Sequence, residues 1–140
     1  MSDYEDADLF IEAQDTVWSD VLAELKNGRK QSHWMWFVFP QLAELGQSDM
    51  SMLYGIEDLE EAEAYLGDPE LRRRLVEVSE LMLKHPGKDA KDILGDVDAA
   101  KLKSSMTLFA AVPGAPDTFA QVLDTFYDGE RCERTLVAIA

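Results

Sequence analysis

The sequence predicts an all-α fold, a compact multi-helical single domain with helix in more than half of its residues. Three observations predict it. Apolar residues recur at three- and four-residue spacing in several segments, capping residues stand at the starts of those segments, and no stretch sustains the two-residue alternation of a half-buried strand. In the first segment Phe10, Val17, Trp18, Val21, Leu22 and Leu25 share one face, so one helix is expected from Asp8 to Lys26. Asn27 and Gly28 stop it, because both tolerate left-handed backbone. Ser32 is placed to cap a short helix over 33–39, which Pro40 ends. Residues 41–55 read as a loop with turns at Gly46 and Gly55. Asp58, with Glu61 three residues on, carries the capping-box pattern of a helix through Leu66. Asp68 and Pro69 open the next, whose stripe is Leu71, Leu75, Val78 and Met82 and whose stop is Pro86-Gly87. Further helices are expected over Asp89–Leu94, from Asp96 or Asp98 to Ala111, from Asp117 to Tyr127, and over Glu133–Ile139. These faces predict that Trp18, Leu22, Phe37, Leu75, Val78, Met106, Phe109 and Phe126 are largely buried. Residues 1–7 are expected to form an acidic disordered tail, and 8–140 the single helical domain.

Composition narrows the function classes. With 46% hydrophobic residues in 140, the chain can build a core without disulfides or metals. Its longest apolar run, Trp34 to Phe39, falls far short of the roughly 20 residues that span a membrane. The N-terminus MSDYEDADLF lacks the basic start and apolar stretch of a secretory signal. Cys132 is the sole cysteine, so neither an internal disulfide nor a cysteine zinc site can form, and a reducing cytoplasmic setting is expected. Its acid-leaning surroundings, Asp128 to Glu133, argue against a reactive thiolate, and it is expected to be neither catalytic nor a metal ligand. A net charge of −15 repels nucleic acid backbones and anionic membranes, so neither is an expected partner; the bland reading of that charge is solubility. Phosphate-loop, dinucleotide and nucleophile-elbow motifs are absent, and His33 and His85 are too few for a histidine-rich metal centre, so no metal and no cofactor is expected.

The acids are distributed unevenly. Leu25 to Ala43 contains no Asp or Glu but holds Lys26, Arg29 and Lys30, and Ala99 to Pro116 contains none but holds Lys101 and Lys103. A basic concavity in an acidic protein is a natural seat for an anionic ligand, phosphorylated or nucleotide-like. In the first stretch, GRKQSHWMWFVFPQ, Arg29 offers a bidentate fork, Lys30 a point charge, and Ser32 with the following backbone N–H groups a helix-start anion site. His33 is the candidate proton-transfer residue, because imidazole titrates near neutrality. Trp34 and Trp36 can stack on a base or sugar, and Gln41 can read a polar edge. In the second stretch Lys101, Lys103, Ser104 and Ser105 add cations and hydroxyls. Structural roles stand beside these: tryptophans and a lone histidine commonly belong to a core, helix lysines to solvent, and paired serines to close helix contacts. The anion reading requires Arg29, Lys30 and His33 to meet Lys101 or Lys103 in space, unpaired with carboxylates.

RKQSHWMWFVFPQLAELGQSDMSMLYGI, EAEAYLGDPELRRRL and KLKSSMTLFAA together resemble the bacterial family known as domain of unknown function 1810. The resemblance runs from Leu9 to about Leu136 and implies a compact multi-helical domain without implying an activity. Some members carry the label calpastatin, but a calpastatin inhibitor is extended and disordered, whereas this composition predicts a packed globule. Two functional classes follow: a small-molecule site for an anion, with or without catalysis, and a non-catalytic protein-interaction module presenting Met50 to Tyr54.

Overall fold

A computed structural model describes residues 4–46 and 48–140. The helices are α1 (Ala7–Asp15), α2 (Trp18–Lys26), α3 (Met35–Val38), α4 (Asp49–Tyr54), α5 (Leu59–Gly67), α6 (Pro69–Leu83), α7 (Ala90–Leu94), α8 (Asp96–Ala110), α9 (Thr118–Tyr127) and α10 (Glu133–Ile139), with a 3-10 turn over Ala43–Leu45. No strand forms among the described residues, and a single parallel bridge joins Leu42 to Ile56. Helix accounts for 68% of the described residues, so the fold is all-α, in one compact domain.

The core is built around α8, which packs against α5, α7, α9 and α10. Leu102, Met106, Leu108 and Phe109 are fully buried, and so, nearly, are Ser104, Ser105 and Thr107. A helix enclosed on most sides needs small residues where neighbours approach closely, which these hydroxyls supply. Phe10, Tyr65, Phe109 and Phe119 form a chain of tilted and edge-on ring contacts through the interior. Phe37, Leu75, Val78, Met106 and Phe109 are buried as their faces predict, whereas Trp18, Leu22 and Phe126 sit half-buried at the core edge.

The local differences from expectation have physical causes. The helix expected over Asp8–Lys26 is two helices, broken at Thr16-Val17. There the Thr16 hydroxyl donates to the Ala13 carbonyl and Val17 leaves helical geometry. The break lets Gln14 turn inward, where its side-chain amide donates to the Phe37 carbonyl and the Tyr65 hydroxyl. Part of the expected 41–55 loop is α4, capped by Ser48, whose hydroxyl accepts from Ser51 N–H. Gly55 is required beside it, because a Cβ there would lie 2.4 Å from the Ala43 Cβ. Of the acidic tail expected over residues 1–7, positions 1–3 lie outside the described residues; Tyr4 donates to the Glu61 carboxylate and Ala7 opens α1.

Candidate functional site

The anion expected at the 29–34 turn is supplied by the chain itself. Glu24, the residue immediately before the acid-free stretch, reaches back over it. Its carboxylate accepts from the Gln31 and Ser32 backbone N–H groups, the Ser32 hydroxyl and the Trp34 indole, at 2.6–3.0 Å. Burial alone would raise the Glu24 pKa; these four donors override it and hold the group at about 2. Ser32 is thereby spent on an internal bond and does not cap α3. Trp34 is fully buried, with its indole committed to Glu24, and offers no face to a ligand. His33 and Arg29 are exposed on this turn, and Arg29 has no carboxylate partner among the described residues.

The two acid-free segments do meet, but through a carboxylate, so the condition that Lys30 and Lys101 stand unpaired is not met. Asp98, in the first turn of α8, lies 2.9 Å from the Lys30 ammonium and 3.7 Å from that of Lys101. Lys30, with 9% of its side chain exposed, also sits over the Trp34 ring, and Lys101 sits over Trp36. One carboxylate between two lysines leaves an excess positive charge, and the longer contact places that excess on Lys101.

Beyond Lys101 the surface opens into a groove of about 770 Å³ bounded by the Gln41–Gly46 segment, α4, α8 and α10. Gln41, Lys101, Lys103 and Ser104 line it, joined by Ser48, Ser51, Cys132 and Arg134. A small cavity of about 10 Å³ adjoins it, sharing Gln41, Ser51 and Lys101, and is lined by Trp36. The Trp36 indole N–H is buried there without a hydrogen-bond partner. The Ser105 hydroxyl is likewise unpartnered, but Ser105 is fully buried and does not line the groove. Lys103 pairs with Glu130 at 3.6 Å, where Glu130 is 76% exposed, so the pair is weak and open to competition. Arg134 has no carboxylate partner among the described residues. Glu133 is the one acid lining the groove.

Cys132 is half-buried at the groove wall. Burial acts to raise its pKa, yet hydrogen bonding from the Thr135 and Ser104 hydroxyls and from the Thr135 and Arg134 backbone lowers it overall. The neighbouring acids therefore do not set its state as the sequence suggested. No three His, Cys, Asp or Glu side chains gather as a metal site among the described residues, and no helix there is long and apolar enough to cross a membrane.

Residues 4–139 match the family described as a protein of unknown function, DUF1810. The chain belongs to the DUF1810 family. Its backbone is also similar to the crystal structure of the conserved hypothetical protein Rv1873 from Mycobacterium tuberculosis, at 44% identity, a TM-score of 0.93 and 96% coverage of each chain. No curated protein matches it. Within this DUF1810 domain, the groove residues that sequence reasoning passed over include Arg134, Ser48 and Ser51, while Cys132, expected to be neither catalytic nor a metal ligand, stands in the groove wall. Arg134 lies in the acid-bearing stretch ERCERT, so a search for acid-free segments could not find it. Ser48 and Ser51 fall in the stretch read as loop, where the N-cap pattern of α4 was the available signal.

Proposed function

We propose that this protein binds an anionic small molecule in the groove between α4, α8 and α10. The observation that carries the reading is the gathering of Lys101, Lys103 and Arg134 around one concavity in a chain of net charge −15. Clustered cations repel one another, and the carboxylates that touch the two lysines do so at 3.6–3.7 Å, one of them being shared with Lys30. An external phosphate or carboxylate offsets that repulsion, and Ser48, Ser51, Ser104 and Gln41 supply neutral hydrogen-bonding groups around it. The volume suits a small molecule, since such sites span roughly 300–1,000 Å³. His33 is outside this lining, so the reading is of a binding site and rests on no proton transfer.

The test is a thermal-shift panel of inorganic phosphate, nucleotides and sugar phosphates. A ligand at about 100 times its Kd adds roughly 2.7 kcal/mol, a shift of several degrees for a domain of this size. Lys103→Ala and Arg134→Ala should each reduce the shift while the unliganded midpoint stays in place. A panel without any stabilising anion, or a shift indifferent to both substitutions, refutes the reading. An interaction module is the second reading, favoured by the 70% and 54% exposure of Met52 and Leu53 on α4. Met52→Ser with Leu53→Ser would abolish association with a protein partner and leave phosphate binding intact.

A further inference from the structure

Among the described residues, five large apolar side chains are exposed: Met52, Leu53, Val97, Leu136 and Val137. All five lie on α4, the first turn of α8, or α10, the three helices that bound the cationic groove. Val97 lines the groove itself. A neighbouring depression of about 410 Å³ contains Val137 and shares Leu45, Glu133 and Arg134 with the groove. Elsewhere among the described residues the large apolar side chains are buried or packed against the core, and of the five exposed ones Val97 and Val137 put unsheltered apolar surface beside the cations. A purely polar anion, such as a sugar phosphate, leaves that apolar surface in water. An anion with an apolar tail covers it, and area removed from water is the favourable term.

We infer that the ligand of this groove is an amphiphilic anion, a phosphate or carboxylate head on Lys101, Lys103 and Arg134 with an aliphatic tail laid along Leu45 and Val97 toward Val137. The inference rests on the anion reading above and names its ligand class. A free, monomeric amphiphile is the occupant rather than a bilayer surface. The head group's cations lie inside a concavity, and a net charge of −15 opposes approach to an anionic membrane.

The experiment is calorimetric titration of the full chain with ethyl, butyl, hexyl and octyl phosphate below their aggregation limits, with octanol and inorganic phosphate as controls. The expected result is a Kd that falls about threefold to fourfold for each added methylene that the groove buries. Octanol should bind far more weakly than octyl phosphate. Val97→Ser, at an exposed position where no core contact is lost, should flatten the chain-length dependence. Phosphate binding of equal strength along the whole series overturns the amphiphile inference and leaves the anion reading standing. Octanol binding as tightly as octyl phosphate, or octyl phosphate binding unchanged by Lys103→Ala and Arg134→Ala, overturns the anion reading as well. Co-flotation with phosphatidylcholine–phosphatidylglycerol vesicles without binding of the monomeric series overturns the inference in favour of a membrane surface.

Discussion

Replacing Glu24 by Gln isolates one charge in an otherwise unchanged bonding pattern. The amide oxygen can still accept from Gln31, Ser32 and the Trp34 indole, while the amide nitrogen donates to the Ser32 hydroxyl, which can reverse its role. What is lost is the ionised state that those donors favour. The carboxyl falls from an ordinary 4.5 to about 2 in the folded protein. At about 1.36 kcal/mol per pKa unit, the ionised form contributes about 3 kcal/mol. The folded pKa lies below the unfolded one, so on acidification the unfolded chain takes up the proton first. The contribution is complete above about pH 5, and it fades as the pH falls through 4.5 toward 2. Urea denaturation of the wild type and Glu24→Gln between pH 7 and 3.5 reads this directly. The difference between the two cancels the other carboxylates of the chain. It should be about 3 kcal/mol at pH 7 and about 1 kcal/mol smaller at pH 3.5. A difference that stays flat across this range, or one below about 1 kcal/mol at neutral pH, would show that the four donors do not hold the carboxylate as described.

Three more outcomes are expected. Phe109→Ala opens a hole among Tyr65 and Phe119 and should cost about 3–5 kcal/mol in urea denaturation; a loss under about 1 kcal/mol would mean that the face of α8 was misassigned. Asp98→Asn leaves the largely buried Lys30 ammonium without its counter-charge, with an expected loss of about 1–3 kcal/mol, while inorganic phosphate should bind more tightly because Lys101 is released. Cys132, the single cysteine, should be alkylated by N-ethylmaleimide at a rate that a groove-bound phosphate slows, and Cys132→Ser should retain the ligand-induced thermal shift; loss of that shift in a folded variant would give the thiol a direct role in binding.

The sequence alone determined the class of fold and most of its helices. Periodicity, caps and stops are local, and they are strongest where a helix is amphipathic: α6 starts at Asp68-Pro69 and carries Leu71, Leu75 and Val78 inward as its spacing requires. They are weakest where a hydroxyl or a buried amide redirects the chain, as at Thr16-Val17 and at α4. The acid-free stretches drew attention to Lys101 and Lys103, but tertiary structure decided what their neighbours do. Glu24 stands one residue outside its acid-free window and cancels the predicted anion site by folding over it. Asp98 stands one residue outside the other and joins Lys30 to Lys101. Arg134 comes to the groove on α10 from a segment rich in acid. Hydrophobic spacing is written along a single helix, so one chain segment reveals it. Charge compensation depends on which side chains come within a few ångströms after folding, and only the packing of α4, α8 and α10 settles that.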